Sequence, residues 1–119
     1  MRISIVRARS TIEVLGDHLE RRQLGDIEGD LEHNYIPDVV LFYERGVLKG
    51  RDAVRASATA LADQLPDARF PFLFKAVDGE NALLHWSAQS PHVRVELGVD
   101  TFVIRDGRIV LQTVSYELE

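Results

Sequence analysis

The chain has 119 residues, enough for one domain with its own hydrophobic core, and we expect a single domain over residues 1–119. The formal net charge is -5 at pH 7. An acidic chain lacks the positive field that nucleic acids and anionic membrane surfaces require, so neither is an expected partner. The absence of cysteine excludes disulfides, thiol catalysis and thiolate zinc sites.

The N-terminal segment, Met1 to Arg9, has no apolar run of signal-peptide length. No other segment approaches the roughly 20 apolar residues of a membrane span. We therefore expect a soluble, cytoplasmic protein.

Helical patterns dominate the first half of the chain. Ser10 and Glu13 have the spacing of a capping box and predict the start of a first helix. Gly25 predicts its end, and Asp26 can cap a short second helix. The first helix has an apolar stripe formed by Ile12, Leu15 and Leu19.

A strand and a third helix follow. The strand covers residues 39–43, after Pro37, and turns at Gly46. The third helix opens at Gly50 and ends before Pro66. Its many alanines predict close packing against another element.

From Arg69 onward, apolar and polar residues alternate and predict four antiparallel strands. The longest, residues 93–104, has apolar residues at both odd- and even-numbered positions, which point to opposite faces of a strand. We therefore expect both faces of the sheet to be covered. One face would pack on the helices and the other on a second subunit, giving a homodimer through the outer sheet face. The predicted fold is α+β, with a curved antiparallel sheet around about three N-terminal helices.

Five short motifs follow one another along nearly the whole chain. They are Gly-Asp-Ile-Glu at 25–28, Tyr-Ile-Pro-Asp-Val-Val at 35–40, Gly-Arg-Asp-Ala-Val at 50–54, Val-Asp-Thr-Phe at 99–102 and Arg-Asp-Gly-Arg-Ile-Val at 105–110. Their order resembles that of the SnoaL-like and nuclear transport factor 2-like proteins. The resemblance implies a cone-shaped fold with an internal pocket. These proteins include polyketide ring cyclases, ketosteroid isomerases, dehydratases and epoxide hydrolases, so the fold alone does not predict a reaction.

Asp100 is the first candidate catalytic residue. By resemblance, it matches the position where ketosteroid isomerases place a protonated aspartic acid that donates to a forming enolate. An apolar cavity would raise the pKa of such a carboxyl group and keep the donor available. The alternative is an aspartate that accepts hydrogen bonds from the backbone near the mouth of the cone.

His18 is the second candidate catalytic residue. It lies near the position where the isomerases place a tyrosine donor, and a histidine can also donate or shuttle a proton. The alternative is a buried histidine with a structural role. Tyr43 occupies the position of the isomerases' proton-transfer carboxylate, which argues against ketosteroid isomerisation and favours a pocket-lining ring. A register slip by one residue would instead turn Glu44 inward.

Further residues are candidates for substrate binding. Glu96 shares the parity of Asp100 and could form an acid-base pair with it, although a solvated rim position is the alternative. Gln112 could orient a ligand carbonyl, and Tyr116 lies on the same face of the last strand. Trp86 and Phe72 could line an apolar pocket or belong to the ordinary core.

Two functions remain open. The first is a cofactor-free acid-base enzyme of isomerase, cyclase or dehydratase type that acts on a small hydrophobic, carbonyl-bearing molecule. The second is a non-catalytic ligand-binding or dimeric assembly module. We predict no metal site, because the four histidines lack ligand spacing, and no phosphate-binding cofactor, because no glycine-rich loop is present.

Overall fold

The computed structural model describes residues 7–119, so most of the segment in which we looked for a signal sequence lies outside the described residues. The helices are α1 (Thr11–Gln23), α2 (Ile27–Asn34) and α3 (Arg51–Gln64). The strands are β1 (Tyr35–Tyr43), β2 (Gly46–Lys49), β3 (Phe72–Asp78), β4 (Asn81–Gln89), β5 (Arg94–Arg105) and β6 (Arg108–Ser115). Within residues 7–119, no helix has the length and apolar character needed to cross a membrane.

Local sequence signals set the ends of α1 and α2, as predicted. The Ser10 hydroxyl accepts from the Glu13 N–H at 3.2 Å, and the Glu13 carboxylate accepts from the Ser10 N–H at 3.0 Å. Gly25 has a φ of +74°, in the left-handed region that lets the chain leave α1. Asp26 then caps α2 by accepting from the Gly29 N–H at 3.0 Å.

The strands form one sheet in the order β2-β1-β6-β5-β4-β3. The predicted α+β class, with three helices packed on a sheet, is confirmed. The sheet is mixed rather than wholly antiparallel, because β1 and β6 run parallel while every other neighbouring pair is antiparallel. Alternating hydrophobicity reports which face a residue occupies and not the direction of its strand. The strand β2, which has four residues and is exposed throughout, was not predicted from the sequence.

A bulge in β5 changes which residues face inward. Trp86 pairs with Gly98, but Ala88 pairs with Val95, so three steps along β5 match two steps along β4. Val95 and Gly98 are therefore both buried, and Glu96 between them is exposed. This corrects the predicted parity, which placed Glu96 on the face of Asp100.

The packing of α3 also differs from the prediction. Its one buried residue is Val54, so the alanines do not form a close helix-sheet contact. Ala58 and Ala62 instead border an open space between the helix and the sheet. The solid core lies beside this space, between α1, α2 and the inner face of β4, β5 and β6, and it includes Leu15, Leu31, Tyr35, Phe102, Ile104 and Ile109.

Candidate functional site

A cavity of about 530 Å³ lies between the inner sheet face and helices α1 and α3. This volume is within the range of small-molecule sites. Most of the wall is apolar, with Leu41, Leu61, Phe70, Phe72, Leu84 and Trp86 among the lining residues. Polar side chains interrupt that wall, among them His18, Arg22, Asp100 and Gln112.

Six of the eight predicted site residues line this cavity: His18, Phe72, Trp86, Asp100, Gln112 and Tyr116. Tyr43 does not, because it is the last residue of β1 and lies beyond Leu41, the residue through which that strand contributes to the wall. Glu96 does not either, because the β5 bulge turns it outward. The predicted pairing of Glu96 with Asp100 is therefore not formed.

Asp100 sits on β5 and is held by side chains rather than by the backbone. The Trp86 indole N–H donates to its Oδ1 at 3.0 Å, and the Gln112 amide donates to its Oδ2 at 3.2 Å. The Tyr35 hydroxyl in turn donates to Oε1 of Gln112 at 2.5 Å. This chain of hydrogen bonds fixes the position of the carboxyl group at the cavity wall.

Burial raises the pKa of Asp100 above its ordinary value of 3.8. The hydrogen bonds from Trp86 and Gln112 and the charge of Arg22 oppose this effect, but the net direction is upward. A carboxyl group with a raised pKa keeps its proton to a higher pH and so remains able to donate it.

The glycine beside Asp100 explains how Trp86 reaches it. A Cβ atom at Gly98 would lie 2.1 Å from Cε2 of Trp86, far inside contact distance. The missing side chain therefore lets the indole lie against β5, where its N–H meets the carboxyl group. Trp86 also contacts the rings of Phe70 and Tyr116, at centroid distances of 6.0 and 5.5 Å, and so belongs to an aromatic section of the wall.

His18 is buried on α1 and hydrogen-bonded to Asp30, a residue that was not predicted from the sequence. Its Nδ1 lies 2.8 Å from Oδ2 and 3.0 Å from Oδ1 of Asp30, which sits fully buried on α2. The imidazole packs edge-on against the rings of Tyr35 and Phe102, at centroid distances of 5.9 and 5.2 Å. The helical position of Asp30, beside Leu31 on the inward side of α2, is the signal that could have identified it.

The described hydrogen bonds of His18 involve one of its two ring nitrogens, Nδ1. Among residues 7–119 no side chain or backbone group is hydrogen-bonded to Nε2. Within the same residues, no fully buried polar side-chain atom lacks a partner. Among residues 7–119, Nε2 is thus the ring nitrogen left for a ligand, on a side chain that lines the cavity.

Asp30 also contacts a network of polar side chains. The Asn34 amide donates to Oδ1 of Asp30 at 2.9 Å and to Oδ2 of Asp17 at 2.8 Å. Arg22, which lines the cavity, places Nη1 3.9 Å from Oδ2 of Asp30. These donors compensate for the burial of the carboxyl group. Residues 7–119 contain no group of three or more His, Cys, Asp or Glu side chains placed to hold a metal ion.

The sequence profile of the SnoaL-like domain family matches residues 17–112 of the chain. This segment spans α1 to β6 and contains His18, Asp30, Asp100 and Gln112. No curated protein matches the chain.

Solved structures with similar folds come from several bacteria. A protein from Jannaschia sp. CCS1, provisionally assigned as a SnoaL-like polyketide cyclase, has a TM-score of 0.79 at 13% identity, covering 98% of this chain and 92% of that chain. An NTF2-like protein of unknown function from Mesorhizobium loti has a TM-score of 0.76 at 23% identity, covering 97% of each chain. A provisionally assigned polyketide cyclase from Sinorhizobium meliloti has a TM-score of 0.72 at 22% identity, covering 87% of this chain and 94% of that chain. At these identities the similarity concerns the fold.

Proposed function

This chain belongs to the family of SnoaL-like domains, and from that premise we propose that it binds a small hydrophobic, carbonyl-bearing molecule and moves protons on it without a cofactor. One observation carries the proposal: His18 and Asp100, two groups able to exchange protons, line the same largely apolar cavity. Titratable side chains in an apolar cavity are costly to retain, which supports a functional role for them.

The reaction type is enolisation of the bound carbonyl compound. The carbonyl oxygen accepts a hydrogen bond or a proton from Asp100, whose carboxyl group has a raised pKa. Nε2 of His18 takes a proton from the carbon next to the carbonyl. Return of that proton to another carbon gives isomerisation, and attack of the enolate on a second carbonyl gives cyclisation. The proposed substrate-binding residues are Phe72, Trp86, Gln112 and Tyr116.

The proposal can be tested without knowing the natural substrate. The probe is 1-tetralone, an aromatic ketone, and proton NMR follows the exchange of its α-protons with D₂O. We expect the protein to accelerate this exchange, and His18→Gln and Asp100→Asn each to lower the acceleration by about 100-fold or more. Glu96→Gln, at an exposed carboxylate outside the cavity, is the matched control and should leave the rate unchanged. Exchange no faster than in buffer would refute the enzymatic proposal.

A non-catalytic binding module is the second candidate. The observation that favours it is on β1, where the residue that lines the cavity is Leu41 and not a carboxylate. Trp86 is the only tryptophan in the sequence, so its fluorescence reports binding at the cavity wall. Quenching by 1-tetralone that is not accompanied by accelerated exchange would identify this second function.

We also propose a homodimer formed through the outer sheet face. The centre of that face carries no formal charge and consists of Leu83, His85, Val99, Thr101, Val103, Leu111 and Thr113. Charge-depleted apolar surface is typical of the centre of a subunit interface. Light scattering should give the dimer mass for the wild type and the monomer mass for Val99→Lys. Leu24→Lys, at an apolar residue directly after α1 that is 76% exposed, is the control and should stay dimeric. A monomeric wild type would refute the proposal.

A further inference from the structure

We propose that Asp30 is a positioning residue that fixes His18 in the tautomer with the proton on Nδ1, so that Nε2 presents a lone pair to the cavity. The tautomer is a property of the protein alone. Its catalytic consequence rests on the proposed function, because it makes His18 the group that accepts a proton from the substrate.

The contact between the two residues carries this inference. Nδ1 of His18 lies 2.8 and 3.0 Å from the two oxygens of Asp30. An ionised carboxylate can only accept hydrogen bonds, so the proton must be on Nδ1. The Asn34 amide donates to Oδ1, and Nη1 of Arg22 lies 3.9 Å from Oδ2, so the other described polar contacts of this carboxyl group are also with donors.

Aromatic packing prevents the ring from exchanging its two nitrogens. The rings of Tyr35 and Phe102 pack against the imidazole in T-shaped contacts at centroid distances of 5.9 and 5.2 Å, and both residues are buried in the core. A flip of the His18 ring would have to displace these side chains from a close-packed environment. The ring orientation is therefore set by packing, and the proton location is set by Asp30.

The arrangement gives each group one task in the enolisation step. The substrate's α-proton moves to Nε2 of His18, and the C–H electron pair becomes a C=C bond. The carbonyl π electrons move to oxygen, which takes the proton of Asp100. His18 becomes an imidazolium ion with the Asp30 carboxylate beside it, so the new positive charge is offset inside the protein.

The substitution Asp30→Asn should reverse the tautomer without changing the shape of the side chain. Asn34 donates to the Oδ1 position, so the carbonyl oxygen of the new amide is held there. The amide NH₂ then occupies the Oδ2 position, which at 2.8 Å is closer to Nδ1 of His18 than the retained oxygen at 3.0 Å, and we expect it to donate to Nδ1. The imidazole proton is forced onto Nε2, and the ring can no longer accept a proton from the cavity side.

The direct experiment is ¹⁵N NMR of histidine-labelled protein without ligand at about pH 8, well above the ordinary histidine pKa. The His18 signals are assigned by their loss in His18→Gln. In the wild type we expect a protonated Nδ1 and an unprotonated Nε2, and in Asp30→Asn the reverse. Asp17→Asn, at the other carboxylate that accepts from Asn34, is the control and should keep the wild-type pattern.

Two outcomes would overturn the proposal: a protonated Nε2 in the wild type, or an unchanged tautomer in Asp30→Asn. If Asp30→Asn does not fold, the wild-type spectrum still decides the tautomer. In the folded variant, exchange of 1-tetralone protons should fall about 100- to 10,000-fold while the quenching of Trp86 by the ketone stays unchanged. Because the spectra need no ligand, a failure of the proposed function and a failure of this inference are distinguishable.

Discussion

Replacing Gly98 with alanine should displace the Trp86 indole from its place on β5 and destabilise the protein. The added Cβ would lie 2.1 Å from Cε2 and 2.3 Å from Cζ2 of Trp86. Normal contact between carbon atoms begins near about 3.5 Å, so the ring must move by roughly 1.4 Å. The backbone at Gly98 does not have a positive φ, so the expected effect comes from lost space and not from strain.

The size of the effect follows from the two interactions that change. Overpacking in a core costs about 1–3 kcal/mol. The shift also breaks or lengthens the hydrogen bond from Trp86 to Asp100, now 3.0 Å, and a lost hydrogen bond costs about 1 kcal/mol. The free energy of unfolding of Gly98→Ala should therefore fall by about 2–4 kcal/mol.

Urea unfolding followed by circular dichroism and by Trp86 fluorescence measures this change. Gly16→Ala is the matched control, since the same substitution on the exposed side of α1 meets no atom within 4 Å. It should stabilise the protein by about 0.5–1 kcal/mol through helix propensity. A loss below about 0.5 kcal/mol for Gly98→Ala, with unchanged fluorescence, would refute the reasoning, because it lies within the range of ordinary surface substitutions.

Three further changes test the site and the fold. Burial raises the folded-state pKa of Asp100 above 3.8, so its contribution to stability is present below that value and is lost as pH rises through the folded-state pKa. The unfolding free energy of Asp100→Asn minus that of the wild type should thus become more positive between about pH 4 and pH 7. Urea unfolding at each pH measures this difference, and a difference that stays constant would contradict the raised pKa. Tyr35→Phe should lower the unfolding free energy by about 1–3 kcal/mol, because Oε1 of Gln112 loses its donor; an unaltered denaturation midpoint would exclude this role. Ser10→Ala should cost about 1 kcal/mol by removing the capping box of α1, and thermal unfolding with no change in midpoint would show that the cap is dispensable.

Elements defined by local signals could be predicted from the sequence. Ser10 and Asp26 cap the helices at the expected positions because capping involves residues three apart in the chain. The turn at Gly107, with a φ of +78°, separates β5 from β6 as expected for an Asp-Gly pair. The inward position of Asp100 was expected from the family resemblance, and Asp100 shares a face with Phe102 because no bulge lies between them in the pairing with β4.

The parts that failed depend on long-range pairing. The bulge that turns Glu96 outward is a property of the match between β4 and β5, and the sequence of β5 alone does not reveal it. Asp30 could not be assigned to His18, because twelve residues and the turn between two helices separate them. The alanines of α3 were compatible with either close packing or an open space, and only the tertiary structure distinguishes the two.

The division of the cavity between elements has a consequence for the evolution of specificity. The proposed proton-transfer groups, His18 and Asp100, come from α1 and β5, whereas Ala58 and Ala62 of α3 contribute little more than a boundary. Longer side chains at these two positions would shorten the space available to a ligand and leave the hydrogen bonds of Asp100 in place. The size of the ligand, set by α3, and the chemistry of the site, set by α1 and β5, can therefore change independently in proteins with this arrangement of helices and strands.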